Sequence, residues 1–158
     1  HAQGVRKAII AVPERSIGAS FRATKLSADG FGHDWALDLD LCGVGSESGA
    51  KVQELVNFLR APTGRTVVCT HATLRFAFAQ AGIEAFDDCL LCIDELHHAS
   101  NDDESRLGLF LRGLLDRGSA HLLAMTGSYF RGDGAAIMHP EDEARFEKVV
   151  YTYYEQLN

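Results

Sequence analysis

Two adjacent carboxylates follow an apolar run in the middle of the chain. Residues 90–93 are apolar, Asp94 and Glu95 come next, and His97 stands two positions further on. A strand buried on both faces has such a run, and ligands of parallel α/β sheets bind at the carboxyl ends of strands. Asp94 would then hold Mg²⁺ through water, since magnesium keeps several waters and takes one or two carboxylates. Glu95 would orient or deprotonate an attacking water.

A simpler interpretation of the same residues needs no ligand, because acidic pairs are common where strands end. The seven histidines of the chain add no spacing typical of a metal site. On these residues alone, a nucleotide-hydrolysing site and an ordinary strand end both remain open.

Strands and helices alternate along the chain, and this alternation predicts what would position the acids. Short apolar or alternating runs bounded by Gly, Pro or polar clusters predict six strands. They cover residues 7–12, 36–42, 66–70, 89–94, 121–126 and 149–153. Apolar residues at helical spacing predict four helices. These cover residues 14–25, 52–59, 73–80 and 107–115. Such alternation favours βαβ units, and therefore an α/β fold with a mostly parallel sheet.

Length and composition fit a single globular domain over residues 1–158. Of the 158 residues 46% are hydrophobic, and no apolar stretch approaches the roughly 20 residues that a membrane span needs. The formal net charge of −7 argues against strong autonomous binding to nucleic acid. The charge is unevenly spread, however. Residues 1–25 hold five basic side chains and one acid, whereas residues 84–104 hold eight acids and no Lys or Arg.

Four cysteines, Cys42, Cys69, Cys89 and Cys92, lie in apolar, strand-like runs. Cys89 and Cys92 form a Cys-x-x-Cys pair, but residues three apart in a strand point to opposite faces. Redox and zinc pairs sit where both sulfurs converge. The sequence therefore predicts buried free thiols, which suit a reducing cytosol, and a redox protein is the weakest of the hypotheses.

The Gly- and Ser-rich segment 43–51 does not match a phosphate-binding loop. Ser48 stands five residues after Gly43, where G-x-x-x-x-G-K-[ST] needs its second Gly, and Lys51 is followed by Val52 rather than by Ser or Thr. We interpret the segment as a turn that leads into the following helix.

Four segments, each just after a predicted strand, resemble the ordered motifs of superfamily-two helicases. Residues 13–17, Pro-Glu-Arg-Ser-Ile, resemble the Pro-Thr-Arg-Glu-Leu element, and residues 69–74 are similar to the Thr-containing loop that contacts the nucleic-acid backbone. Residues 94–97, Asp-Glu-Leu-His, look like a DExH box. Residues 126–134 resemble the Thr-Gly-Thr-Pro-Phe-Arg-x-Asp-Gly run of helicases related to the translocating subunit of type III restriction enzymes, with Tyr129 in place of Pro.

This resemblance covers nearly the whole chain and implies the first motor domain of a DExH ATPase. The implied fold is a three-layer α/β, RecA-like domain of the P-loop NTPase type, and the implied cofactors are ATP and Mg²⁺. Only six residues precede Lys7, so the phosphate-binding loop that the family carries upstream is missing. We therefore expect an N-terminally truncated, partial domain of a larger ATP-dependent helicase or translocase, inactive by itself.

The resemblance also assigns roles to individual residues. It implies catalysis by Asp94 and Glu95, coupling of hydrolysis to domain movement by His97, Thr126 and Ser128, and nucleic-acid binding by Pro13, Arg15, Thr70 and His71. Asp94 would hold Mg²⁺ through water. The implied partners are nucleic acid, with DNA favoured over RNA, and a second RecA-like domain, and the implied location is the cytoplasm. The alternative is a non-catalytic RecA-like scaffold that has lost its phosphate-binding loop.

Overall fold

Five parallel strands form one sheet. The computed structural model describes residues 4–43, 48–99, 106–127 and 140–150. The strands are β1 (Lys7–Val12), β2 (Leu39–Asp40), β3 (Thr66–Thr70), β4 (Cys89–Ile93) and β5 (His121–Ala124). They lie in the spatial order β2-β3-β1-β4-β5, and every neighbouring pair is parallel. The predicted α/β fold with a parallel sheet is confirmed, and the architecture is consistent with a RecA-like domain.

Packing on both faces of the sheet gives three layers. The helices are α1 (Arg15–Gly18), α2 (Ser48–Arg60), α3 (His71–Ala81), α4 (Leu96–Ala99), α5 (Arg106–Arg117) and α6 (Pro140–Glu143). Two short 3-10 helices cover Leu26–Asp29 and Ile83–Phe86. Helices α2, α3 and α5 share the larger core on one face, whereas α1 and the segment 19–37 pack against the smaller core on the other.

The strand register brings four strand ends to one edge of the sheet. Val12 pairs with Thr70, and Ala11 pairs with Ile93. Ile93 in turn pairs with Ala124. The loops that leave β1, β3, β4 and β5 therefore lie side by side at the carboxyl edge, where ligands of parallel sheets bind.

The predictions of α2 and α5 are confirmed as helices, but α2 begins at Ser48, four residues before the predicted start. Residues 48–51, interpreted as part of a turn, are therefore helical. Helix α2 ends at Arg60, just before Pro62. Helix α5 ends at Arg117, and Gly118 follows it with φ +66°, a conformation that favours glycine. Helix α3 extends the predicted segment by two residues at its start and one at its end. No helix in the described ranges is long and apolar enough to cross a membrane.

The predicted thiol chemistry is confirmed. All four cysteines are free, with Cys42, Cys69 and Cys89 buried and Cys92 half-buried. Cys89 lies in the larger core and Cys92 packs against the smaller one, so their sulfurs face opposite sides of the sheet. Burial raises the pKa of every thiol, and that of Cys42 to about 11. These properties exclude a redox-active pair.

Two predicted strands differ from the structure. The strand expected over residues 36–42 is reduced to β2, because the Asp38 carboxylate accepts hydrogen bonds from the main-chain N–H groups of Arg65 and Thr66. At the start of β3, the Asp38 side chain thus accepts main-chain hydrogen bonds that a neighbouring strand would otherwise accept. Of the strand expected over residues 149–153, residues 149–150 are not in a strand and the others lie outside the described residues.

The helix predicted over residues 14–25 is wrong beyond its first turn, since α1 ends at Gly18. An added Cβ at Gly18 would stand 2.3 Å from Cys42 Sγ and 2.4 Å from Cys42 Cβ. Further along, Thr24 and Trp35 form an antiparallel bridge that a continued helix would prevent. Close packing against the second face of the sheet therefore overrides the helical pattern.

We expect Gly18→Ala to lower the free energy of unfolding by about 1–3 kcal/mol, because the new methyl group would overpack the contact with Cys42. Gly49→Ala in α2 is the matched control, since a Cβ there meets nothing within 4 Å. Urea denaturation of both variants measures the difference. Equal stability of the two variants would contradict the packing account.

A hydrogen-bonded group of three side chains lies at the opposite edge of the sheet. Arg117 donates two hydrogen bonds of 2.6 Å to the Asp87 carboxylate, and the Ser119 hydroxyl donates to the same group. The hydrogen bonds from Arg117 and, to a smaller extent, that from Ser119 lower the pKa of Asp87 to about 2. The group joins the end of α5 to the segment before β4.

We expect Asp87→Asn to be less stable than the native protein at pH 7. Because the pKa of Asp87 is depressed in the folded state, its contribution is complete above the ordinary value of 3.8 and is lost as the pH falls towards 2. The difference between the two proteins should therefore shrink between pH 4 and pH 2. Thermal unfolding across this range, with the exposed Asp29→Asn as control, provides the measurement.

Candidate functional site

Backbone hydrogen bonds hold the Asp94–Glu95 turn between the ends of β1 and β5. The N–H of Asp94 donates to the carbonyl of Ala11 at 2.9 Å, and that of Leu96 donates to the carbonyl of Met125 at 2.9 Å. The turn is thereby fixed on both sides by neighbouring chain segments. Both acids lie at the carboxyl edge of the sheet.

Glu95 adopts a backbone conformation that residues with a side chain rarely take. Its φ is +48°, in the left-handed region, which costs a residue other than glycine about 1–2 kcal/mol. Asp94 supports this conformation, because its Oδ1 accepts a hydrogen bond of 3.0 Å from the Glu95 N–H. Backbone strain of this kind is concentrated at functional sites.

The Glu95 carboxylate has an oxygen that accepts no hydrogen bond from the described residues. This atom, Oε2, is inaccessible to solvent, although the side chain as a whole is about one-third exposed. His97 Nδ1 lies 3.2 Å from this oxygen, but its hydrogen bond joins it to Thr126 Oγ1 at 2.9 Å. A carboxylate oxygen left without a donor is costly.

His97 and Thr126, two of the residues expected to couple hydrolysis to domain movement, lie together. Their hydrogen bond connects the loop after β4 with the loop after β5. Ser128, the third residue of that prediction, lies outside the described residues. The predicted coupling requires a contact of this kind between the two loops.

Asp94 is suited to a water-mediated magnesium ion. Its Oδ1 is engaged by the Glu95 N–H, and its Oδ2 makes no hydrogen bond with the described residues. Within those residues, no group of three or more His, Cys, Asp or Glu side chains could hold a metal alone. A single carboxylate with a free oxygen fits the way magnesium binds, since most of its ligands are then waters and phosphate oxygens.

Three of the four predicted nucleic-acid-binding residues line a groove at the same edge. Pro13, Arg15 and Thr70 lie along it, and its volume is about 380 Å³. Arg15 is exposed, and its guanidinium makes no hydrogen bond with the described residues. The first turns of α2 and α3 complete the walls, and helix N-termini attract anions.

The Thr70 side chain caps α3. Its Oγ1 accepts a hydrogen bond of 3.2 Å from the Thr73 N–H and lies 3.0 Å from the Thr73 hydroxyl. An N-cap of this kind stabilises a helix by about 1 kcal/mol. Any contact of Thr70 with nucleic acid would therefore be additional to a structural role.

His71, the fourth predicted nucleic-acid-binding residue, faces the acids rather than the groove. Its ring is 9% exposed, and Nε2 lies 2.9 Å from the carbonyl oxygen of Asp94. Among the residues of the Thr-containing loop, His71 thus links the start of α3 to the turn that carries the acids. The groove lining does not include it.

Two groove residues, Lys51 and Phe76, were missed by the sequence predictions. Lys51 is 2% exposed, and Phe76 is 47% exposed. Lys51 carries a recognisable signal, because it stands four residues before Leu55 on the buried face of α2, where a charge is unexpected. Phe76 carries a weaker one, as an aromatic residue outside the apolar stripe of α3.

The chain is similar to a known protein over nearly its whole length. It is 52% identical over 157 residues to a protein of Bacillus subtilis (strain 168) named "Putative ATP-dependent helicase YeeB". The matched region is 99% of this chain and 26% of that protein, so the chain spans about a quarter of its relative. No family model matches the chain, and no solved structure matches it.

We expect Glu95→Gly to raise the free energy of unfolding by about 1 kcal/mol, because glycine takes positive φ without a steric cost. Glu95→Ala removes the same carboxylate but keeps the strained backbone, so it is the matched control. Urea denaturation compares the two variants. If the glycine variant is no more stable than the alanine variant, position 95 stores no backbone strain.

Proposed function

We propose that this chain is part of an ATP-dependent helicase or translocase of the DExH type, to which it contributes the hydrolytic carboxylates and a nucleic-acid groove. The observation that carries this proposal is the Glu95 carboxylate, held on a strained turn with one oxygen that accepts no hydrogen bond from the described part of the chain. The 52% identity to a protein named as an ATP-dependent helicase supports it.

The two acids divide the chemistry between them. The Glu95 carboxylate accepts a hydrogen bond from the attacking water, orients that water and takes up its proton. Asp94 would hold Mg²⁺ through water, and the ion would supply positive charge to the phosphates of ATP. His97, 3.2 Å from Glu95 Oε2, restricts where that carboxylate can move.

The proposed motor needs parts that these residues do not supply. The 158-residue sequence contains no G-x-x-x-x-G-K-[ST] loop, so the Lys and hydroxyl that hold the phosphates must come from elsewhere. In the related helicases a second RecA-like domain provides the arginine fingers. The hydrogen bond between His97 and Thr126 would transmit the state of the nucleotide towards that domain.

Nucleic acid is the proposed track, with DNA favoured by the resemblance to type III restriction translocases. Arg15 offers a guanidinium without a protein partner among the described residues, and the N-termini of α2 and α3 add positive potential along the groove. Contacts of this kind bind the phosphate backbone and carry no sequence information. That property suits a protein that moves along any strand.

We expect Glu95→Gln in the full-length protein to reduce ATP turnover at least 100-fold, because an amide cannot take up the proton of the attacking water. Binding of ATP should be nearly unchanged. Phosphate release measures turnover, and equilibrium dialysis measures binding. Glu54→Gln, on the exposed side of α2, is the matched control and should have native activity.

The same experiment separates the motor from the alternative, a non-catalytic RecA-like scaffold. The absence of a phosphate-binding loop from the sequence is what favours that alternative. A full-length native protein that neither binds nor hydrolyses ATP would support the scaffold. Near-native turnover by the glutamine variant would instead remove Glu95 from the mechanism.

A further inference from the structure

We propose that Lys51 and Phe76 form a subsite for one nucleotide of single-stranded nucleic acid, in which Lys51 binds a backbone phosphate and Phe76 stacks on the base. The subsite lies in the groove already described, and it rests on the proposed function because it assumes that nucleic acid enters there. It adds two residues outside the helicase-like motifs and specifies that the strand is unpaired at this point.

Lys51 is a buried cation with unused hydrogen-bonding capacity. Its residue is 2% exposed, and Nζ donates one hydrogen bond, of 2.5 Å, to the carbonyl of Gly43. An ammonium group has three N–H donors, so two are left without an acceptor in the part of the chain that the structure describes. Lys51 nevertheless lines the groove. A phosphate oxygen at that position would complete its hydrogen bonds.

The surroundings of Lys51 favour an anion over any other ligand. Arg15 lies on the same groove, and Ser48 begins α2 there. Neither α2 nor α3 has an acidic residue in its first turn. Glu14 is the one acid in the lining of this groove. Two cations and two helix N-termini against one carboxylate give a positive potential, which complements a phosphate backbone.

Phe76 supplies a surface that a phosphate site alone would not need. Its side chain is 47% exposed on the groove, although its neighbours Leu74 and Ala77 are fully buried. The Arg75 guanidinium lies 4.8 Å from the centre of its ring. Aromatic rings beside cationic grooves are the usual platforms for unpaired bases. A duplex would keep its bases stacked on each other, so the strand must be single at Phe76.

The test compares two kinds of single strand bound to the full-length protein. Fluorescence anisotropy measures Kd for an oligothymidine and for an abasic strand of the same length, over a series of salt concentrations. We expect Phe76→Ala to weaken binding of the oligothymidine roughly tenfold and to leave the abasic strand and the salt dependence unchanged. We expect Lys51→Gln to weaken both strands and to reduce the salt slope by about 0.7.

Matched controls remove the same residue types from outside the groove. Phe31→Ala removes a phenylalanine that is 62% exposed but outside the groove lining, and Lys25→Gln removes an exposed cation outside it. Neither should change either Kd. Thermal unfolding checks that each variant is folded.

Because Lys51 is buried, Ser48→Asp is a second test of the phosphate position. It places a negative charge in the groove and should weaken the binding of both strands.

The outcomes separate this inference from the proposed function. If Arg15→Gln weakens binding while Phe76→Ala, Lys51→Gln and Ser48→Asp do not, the subsite is wrong and the nucleic-acid groove stands. Equal losses by Phe76→Ala on thymidine and abasic strands would exclude base stacking. If Arg15→Gln also has no effect, the groove itself is not the nucleic-acid site.

Discussion

The parallel pairing of β1 with both β3 and β4 is the constraint on which the rest of the structure depends. It places the ends of three strands within one register step of each other. The loops that follow carry the helicase-like segments, which are far apart in sequence. Because a slip of one residue would turn every strand side chain to the opposite face, the two cores fix this register. The position of the acids relative to the groove thus follows from apolar packing.

Stability and chemistry make opposite demands at the carboxyl edge. A stable protein satisfies its buried polar groups and avoids positive φ in residues with side chains. Here Glu95 breaks both rules, and Lys51 has fewer hydrogen bonds than its ammonium group can donate. At the opposite edge Asp88 also has a positive φ, of +57°, but the Asp87 carboxylate is fully engaged by Arg117 and Ser119. The unsatisfied groups are therefore concentrated at the edge where ligands of parallel sheets bind.

The sequence predicted the central strands and α2, α3 and α5 well, because apolar period and chain breakers determine them directly. It failed over residues 14–25, where the close approach of Gly18 to Cys42 depends on a contact between distant segments. In the site, the apolar run over residues 90–93 correctly predicted that Asp94 and Glu95 follow a strand. The sequence did not reveal that the His71 ring turns to the Asp94 carbonyl, since side-chain direction at a helix start depends on the neighbouring loop.

That His71 contact gives the proposed motor a direct link between its two sites. The bond is partly buried, so breaking it would cost about 1 kcal/mol. A coupling free energy between two ligands is typically of the same size. In the proposed function, nucleic acid that displaced the start of α3 would act through His71 on the Asp94 carbonyl, and hence on Glu95. Linkage then requires the reverse as well: nucleotide bound at Asp94 must change the affinity of the groove by the same factor.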